Sequence, residues 1–395
     1  MMLKKAGKQK AWGIVIALAA IGVLILYFLY SRSSEQATKT PRLQIVDALS
    51  AVSSANFARA LKPRPFQFPV DHGPHEEYRT EWWYFTGNLT DHQQQAYGYE
   101  LTFFRFALDS DVSHSDSNWW TNQVYMAHFA LTDVANKKFH AHERFSRKAM
   151  GLAGAESTGF KVWLYDWQAS SREGSNDFPL EIQAAQDNIA IKLNLEAMKP
   201  IVSQGDQGLS QKSAQPGDAS YYYSATRLKT DGTLLIDGNT IPVNGLSWMD
   251  HEWSTSALSK DQSGWDWFSI QLDNGLEIMY YQLRKKQGGI DPNSAGTLIL
   301  ENGKTKRLSN TQVNLTVLDD WQSSLDNSRY PSHWQISIPN HNITLDIQPV
   351  LNNQELNVSF RYWEGAVQVK GSYQGEPVQG RGYVELTGYA NSEIP

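Results

Sequence analysis

The chain has 395 residues, no cysteine and a formal net charge of −6, with 41% hydrophobic and 19% charged residues. This hydrophobic content predicts a folded body with a sizeable core rather than a disordered chain. The absence of cysteine excludes disulfides, thiolate metal sites, cysteine nucleophiles and a lipoprotein acyl anchor. Because four lysines lie in the first ten residues, the remainder is more acidic still, and we expect no nucleic-acid partner.

The N-terminus predicts a membrane anchor. Residues 1–10 form a basic stub, and residues 11–30 are an uncharged apolar run long enough to cross a bilayer as a helix. The preceding lysines place the stub in the cytoplasm, so we expect a single-pass protein of the cytoplasmic (inner) membrane whose body is periplasmic or extracytoplasmic. A cleaved signal peptide is the alternative, although its apolar region is usually shorter. Residues 31–62 predict a linker with a short helix.

From residue 63 onward, the pattern predicts an all-β body. Short alternating or aromatic-rich runs are separated by turn signals such as DNG, Asp273 to Gly275, and ENGK. One motif is repeated: PVNGLSWMD ends at Asp250, and PVQGRGYVE ends at Glu385. A duplicated β-unit is the simplest explanation. We therefore predict two tandem β-barrels, residues 63–250 and residues 251–395.

The segment around Asp250, SWMDHEW, holds the main catalytic candidates. Strand alternation places Trp248, Asp250 and Glu252 on one face, with His251 and Trp253 on the other. A carboxyl group that faces an apolar interior has a raised pKa and can donate a proton. We name Asp250 as the candidate acid, assisted by His251 or Glu252. The structural alternative is a buried carboxylate hydrogen-bonded to backbone amides near a barrel rim.

Two further aromatic runs contain acidic residues. In SGWDWFSIQL, Trp265 and Trp267 share a face opposite Asp266, which would approach Asp250 only if the two strands pair directly. The alternative is a strand with a single outward aspartate. In YRTEWWYFTGNL, Glu81 shares a face with Trp83. A buried ion pair with Arg105 is the structural interpretation of that glutamate, and ligand contact is the alternative.

Histidines occur in two close pairs, His72 with His75 and His140 with His142. A His-x-His pair on a strand presents both rings on one face and can bind zinc or copper. No third ligand is marked by the spacing, and no nucleotide-binding or serine-nucleophile motif occurs in a credible context. We therefore predict neither a metal nor a cofactor.

Six motifs resemble the AttH-like family related to hydroxyneurosporene synthase, which includes carotenoid 1,2-hydratases and many "predicted secreted hydrolases". In chain order they are EWWYFTGNL, YGYELTFFRF, MAHFALTD, WMDHEWSTS, GWDWFSIQL and GRGYVELTGY. The resemblance implies two tandem lipocalin-like barrels around an apolar ligand. It carries the proton-donating acid of the hydratases onto Asp250, a neighbouring tyrosine onto Trp248, and a His-x-Trp pair onto Tyr221 and Tyr223.

Two functions are open at this point. We favour a membrane-anchored module that binds a hydrophobic or amphipathic molecule, with lipid, the cytoplasmic membrane and permease subunits of an ABC-type export system as candidate partners. The alternative is a cofactor-free hydratase, isomerase or hydrolase on an isoprenoid- or lipid-like substrate, with Asp250 as general acid. In both cases we expect an apolar hollow inside the first barrel, lined by Asp250. The expected ligand contacts are Trp248, Trp253, Tyr221, Tyr223, Trp265, Trp267 and Trp83.

Overall fold

The computed structural model describes residues 56–110, 120–256 and 258–390. These residues form an all-β body with two barrel-like sheets, of which the first is nearly closed and the second is a half-barrel. The all-β prediction is confirmed. The predicted anchor, residues 11–30, lies outside the described residues, as does most of the predicted short helix. Within the described ranges, no helix has the length and apolar character needed to cross a bilayer.

The first sheet has 13 strands, and its neighbouring strands pair in antiparallel orientation. Its strands are β1 (Thr80–Asp91), β2 (Ala96–Ala107), β3 (Gln123–Asp133), β4 (Lys138–Arg147), β5 (Ala153–Glu156), β6 (Lys161–Leu164), β7 (Trp167–Ser171), β8 (Leu180–Gln186), β9 (Ile189–Ala197), β10 (Val202–Ser203), β11 (Leu209–Gln211), β12 (Ala219–Ile236) and β13 (Asn239–Ser254). One 3₁₀ turn, Val70–His72, precedes them.

The second sheet has ten strands. They are β14 (Gln262–Leu272), β15 (Glu277–Lys285), β16 (Ala295–Ile299), β17 (Thr305–Ser309), β18 (Asn314–Gln322), β19 (Arg329–Ile338), β20 (Ile343–Pro349), β21 (Glu355–Leu356), β22 (Tyr362–Tyr373) and β23 (Glu376–Leu386). A 3₁₀ turn, Pro339–His341, joins β19 to β20. The predicted DNG turn connects β14 to β15, and Gly275 there has a φ of 78°, which favours glycine.

The two sheets share a pairing pattern. In each sheet the first strand pairs with the last, so β1 lies beside β13 and β14 lies beside β23. The two copies of the repeated motif are the strands β13 and β23, which fits the duplicated β-unit suggested by the sequence. The register places Asp250 opposite Tyr84, and Glu385 opposite Trp267 on one side and Glu364 on the other.

Each sheet encloses a core filled by side chains. Met249 and Trp253 of β13 belong to the first core, and Val384 of β23 belongs to the second. A third apolar cluster, which includes Trp248 and Trp267, lies between the outer faces of the two sheets. The expectation of a hollow inside the first barrel lined by Asp250 is therefore wrong. Alternation directs this aspartate away from the first core and toward the second sheet.

The predicted ion pair between Glu81 and Arg105 is present. Arg105 Nε lies 2.8 Å from Glu81 Oε2, and both side chains are fully buried. The same guanidinium donates to Gln123 Oε1 at 2.7 Å and to the carbonyl oxygens of His75 and Tyr78 at 2.8 and 2.9 Å. Each of the three guanidinium nitrogens thus has a hydrogen-bond partner, as a buried charge requires. The pair fixes the segment before β1 against the first sheet.

Candidate functional site

A cavity lies between the outer face of the first sheet and the facing side of the second sheet. It holds about 860 Å³ of space free of atoms, counting the open region at its mouth. Most of its wall is apolar or aromatic, and acidic side chains are grouped within it. The lining residues are Trp82, Tyr84, Thr102, Phe104, Phe106, Lys212, Tyr222, Asp250, Glu252, Leu258, Trp265, Trp267, Tyr281, Leu283, Tyr362, Glu364 and Glu385.

Asp250 is held in the cavity wall by three donors. Tyr222 Oη donates to Asp250 Oδ2 at 2.8 Å, while Ser224 Oγ and Trp248 Nε1 donate to Oδ1 at 2.5 and 2.7 Å. Trp267 Nε1, from the second sheet, donates in turn to Tyr222 Oη at 3.2 Å. The register of β12 on β13 explains this arrangement, because it pairs Ser224 with Asp250 directly. The carboxyl group is therefore fixed in position while one oxygen keeps a free lone pair.

Burial and hydrogen bonding act on Asp250 in opposite directions. Desolvation in the apolar wall favours the neutral acid, and the nearby Glu252 has the same effect. The donors from Ser224, Trp248 and Tyr222 favour the carboxylate and offset part of that shift. The net result raises the pKa of Asp250 to about 7. A group with this pKa can both give and take a proton near neutrality.

The second sheet contributes two more carboxyl groups. Glu364 Oε1 accepts a hydrogen bond of 2.6 Å from Tyr84 Oη, which crosses from the first sheet. Glu385 Oε2 accepts one of 3.0 Å from Trp265 Nε1. Desolvation raises the pKa of Glu364 well above its usual range and that of Glu385 to about 7. The cavity thus has an acidic group on each of its two facing walls.

The fourth acid, Glu252, has a cationic partner. Lys212 Nζ lies 3.0 Å from Glu252 Oε1, and Ser220 Oγ donates to the same carboxylate. The ammonium group also lies 4.1 Å from the ring centroid of Tyr281, a cation–π distance. Desolvation opposes the charge on Lys212, but Glu252, Tyr281 and Asp250 together outweigh it, and the pKa of the lysine is raised. Glu252 is therefore compensated, unlike Asp250.

Four of the predicted site residues line this cavity, namely Asp250, Glu252, Trp265 and Trp267. Trp248 does not line it but supports the acid through its indole nitrogen. The other five predicted residues do not line this cavity. Alternation places them on the inner face of the first sheet, where they pack in or against its core: His251, Trp253, Tyr221, Tyr223 and Trp83.

His251 belongs to a buried network on that inner face. Its Nδ1 lies 2.9 Å from Tyr223 Oη, and its Nε2 lies 2.9 Å from Glu81 Oε1. Burial lowers the pKa of His251 to about 4, so the ring is neutral at physiological pH. It cannot assist Asp250 directly, because neighbouring residues of a strand point to opposite faces.

The same network offers the most compact set of metal-ligating atoms among the described residues. Ligand atoms of His75, Glu81 and His251 lie within 4.8 Å of one another. Each is already hydrogen-bonded, since Glu81 Oε1 accepts from both histidines and Glu81 Oε2 pairs with Arg105. A cation here would have to displace these bonds beside a fixed guanidinium. We interpret the cluster as a structural network.

The structure also does not bring Asp266 next to Asp250, an arrangement that the sequence left open. The strand of Asp266, β14, pairs with β15 and β23 rather than with β13. Asp266 faces away from the cavity, with Arg284 Nε at 3.0 Å and Tyr389 Oη at 3.0 Å. It is buried rather than outward. Asp266 thus holds a cation and a hydroxyl within the second sheet, on β14.

Sequence reasoning missed several cavity residues. Tyr222 lies between the two tyrosines that the family resemblance pointed to, and the strand register places it opposite Glu252. An alternation argument applied to β12 would have selected Tyr222 and Ser224. Glu385 was visible as the counterpart of Asp250 in the repeated motif. No signal in the sequence pointed to Glu364 or Lys212.

Together, the fold and the cavity define a two-sheet β-protein with buried acids in an apolar pocket. Residues 59–389 match the AttH-like family. A solved AttH-like protein of Nitrosomonas europaea is 31% identical, with a TM-score of 0.74, and the match covers 85% of this chain and all of that one. This chain therefore belongs to the AttH-like family.

Relatives with a named activity are more distant. Kievitone hydratase of Fusarium solani subsp. phaseoli is 21% identical over 325 residues, which cover 72% of this chain and 86% of that protein. The crystal structure of kievitone hydratase from Nectria haematococca has a TM-score of 0.63 at 17% identity, and the match covers 88% of this chain and 98% of that one. At that identity the structural likeness establishes the shared fold.

Proposed function

We propose that this protein is a cofactor-free hydratase that adds water to a carbon–carbon double bond of an apolar, isoprenoid- or lipid-like substrate. The observation that carries the proposal is the position of Asp250, a buried carboxyl group with a pKa of about 7 in the wall of an aromatic cavity. The similarity to kievitone hydratase supports the hydratase alternative more than the carrier role that the sequence first favoured.

In the proposed reaction, Asp250 gives its proton to one carbon of the double bond. The π bond breaks, and the other carbon becomes a carbocation. Water attacks that carbon and then loses a proton, so the net change is the addition of one water molecule. The rings of Tyr222 and Trp267, beside the acid, can stabilise the cation through their π faces.

Like lipocalins, the protein is proposed to bind an apolar ligand, but the ligand would not lie inside a barrel. Both sheet interiors are packed, so we place the apolar ligand between the sheets. The largely apolar lining limits the water next to Asp250, and free access of water would let it compete for the proton and capture the cation without control. Membrane anchoring and contact with an export system remain predictions from the sequence.

The test uses the purified full chain and a panel of alkenes, namely kievitone, farnesol and squalene, in isotopically labelled water. We expect mass spectrometry to find a product that carries one labelled oxygen. Asp250→Asn should lower this rate about 100-fold or more, the usual contribution of a general acid. Asp231→Asn, an exposed position on the neighbouring strand β12, should leave it unchanged.

Two results would overturn the proposal. One is a wild-type protein that retains an apolar molecule from cell extracts but converts no member of the panel. This result would favour the hypothesis that the protein only binds a hydrophobic molecule. The other is full activity in the Asp250→Asn variant with an unchanged near-ultraviolet circular dichroism spectrum.

A further inference from the structure

Two carboxyl groups stand side by side on the wall opposite Asp250. Glu364 of β22 and Glu385 of β23 are direct register partners, so their side chains leave the same face of the sheet. Opposed residues of this kind have Cβ atoms about 4.5–5.5 Å apart. Among the described residues, the groups that act on this pair are other acids and single hydrogen-bond donors, with no cation contributing. Two carboxylates so close cannot both stay ionised.

One oxygen of this pair has no partner. Glu364 is fully buried, and its Oε1 accepts from Tyr84 Oη. Its Oε2 has no hydrogen-bond partner within the described part of the chain, although the residue lines the cavity. Buried polar atoms are almost always paired, so an orphan on a cavity wall indicates a group reserved for a ligand or water.

The two carboxyl groups divide the available protons unequally. Burial and the neighbouring acids raise the pKa of Glu364 well above its usual range, which favours its protonated form compared with an ordinary glutamate. Desolvation raises the pKa of Glu385 to about 7, while Trp265 Nε1 stabilises its ionised form. Glu385 is also partly exposed, so it can meet a water molecule in the cavity. It is the member of the pair that can accept a proton.

The internal repeat gives this pair its relation to Asp250. Glu385 occupies in the second copy of the motif the position that Asp250 occupies in the first, and the two strands contribute to opposite walls of one cavity. The charge of Asp250 also contributes to the raised pKa of Glu385. A substrate in the cavity therefore lies between two carboxyl groups that come from matching places in the two halves.

We infer that Glu385, positioned beside Glu364, is the general base that takes the proton from the attacking water. This inference rests on the proposed hydratase function and deepens it. Asp250 forms the new C–H bond and becomes a carboxylate, the water oxygen forms the C–O bond, and Glu385 receives the released proton. The cycle closes when Asp250 regains a proton and Glu385 loses one to solvent. No oxidant, reductant or further reactant is required.

The experiment separates the two half-reactions in heavy water. Proton transfer by Asp250 can be followed as deuterium taken up at the alkene carbon, because the cation can return a proton without capturing water. Glu385→Gln should lower hydration about 100-fold or more and keep deuterium uptake, whereas Asp250→Asn should lose both. Glu376→Gln, an exposed carboxyl group at the start of the same strand, is the matched control and should change neither.

The outcomes distinguish the inference from the function on which it rests. If the wild type neither hydrates nor exchanges any of the panel alkenes, the proposed function fails and the inference fails with it. If the wild type hydrates and Glu385→Gln hydrates equally well, only the inference fails. A variant that does not fold is replaced by Trp265→Phe, which removes the donor to Glu385 and raises its pKa. The acidic limb of the pH–rate profile for hydration should then move to higher pH. If this limb does not move, the inference is wrong.

Discussion

The most informative single change is Tyr222→Phe, because it removes one hydrogen bond from Asp250 and keeps the ring. The hydroxyl of Tyr222 donates to Asp250 Oδ2 at 2.8 Å. A hydrogen bond to a charged group contributes roughly 1.5–3 kcal/mol. Because one pKa unit corresponds to about 1.4 kcal/mol, the loss should raise the pKa of Asp250 by about 1–2 units. The starting value is about 7.

The sign of this shift gives an unusual activity profile. A general acid must be protonated, so the rate of the wild type should fall as the pH rises through about 7. At about pH 8, roughly one tenth of the wild-type Asp250 would be protonated, compared with half or more in the variant. The alkaline limb of the pH–rate profile should therefore move to higher pH in Tyr222→Phe, even if the maximal rate declines.

The assay has a matched control in the neighbouring residue. Tyr221 Oη donates to the carbonyl oxygen of Lys62 at 2.9 Å and does not reach the cavity, so Tyr221→Phe should leave the limb in place. Carbon-13 NMR of labelled aspartate carboxyl groups measures the same pKa without any substrate. If the pKa of Asp250 stays the same or falls in Tyr222→Phe, the account of how this acid is tuned is wrong.

Three further predictions concern stability. Between pH 5 and about pH 8 the wild type should lose about 2–4 kcal/mol of unfolding free energy that Asp250→Asn retains, because a buried acid with a raised pKa destabilises the fold as the pH rises past its unfolded value. If the difference in urea midpoint between the wild type and the variant is the same at both pH values, this prediction is wrong. Arg105→Met should cost about 3–5 kcal/mol in urea unfolding, since it leaves the buried Glu81 unpaired. Arg329→Met, at an exposed ion pair, should cost under about 1 kcal/mol, and similar losses in the two variants would refute the distinction. A chelator should leave the melting temperature unchanged if the cluster around Glu81 is held by hydrogen bonds, and a clear decrease would indicate a bound metal.

The sequence was sufficient to assign faces along a strand but not to say what each face meets. Alternation separated Trp248, Asp250 and Glu252 from His251 and Trp253, and the structure keeps that division. Both faces of β13 carry aromatic residues, so neither could be recognised as the barrel interior. The choice depends on where the second sheet packs, which is a tertiary property that short-range patterns do not contain.

Strand order was the other limit. The possible approach of Asp266 to Asp250 required consecutive strands to pair, as they often do. Here β13 pairs with β1 inside the first sheet, and β14 begins the second, so the two strands belong to different sheets. By contrast, the ion pair of Glu81 with Arg105 was predictable, because β1 and β2 form a hairpin that pairs those two residues directly.

The duplication explains why the acids meet between the sheets. In each copy of the repeated motif, the residue before the acid points into its own core, as Met249 and Val384 do. Strand alternation then turns Asp250 and Glu385 outward. On an isolated sheet these outward acids would be solvated and would have ordinary pKa values. When the two outer faces pack together, both acids lose water and come to line the same cavity, so the association of the two halves is what raises their pKa values.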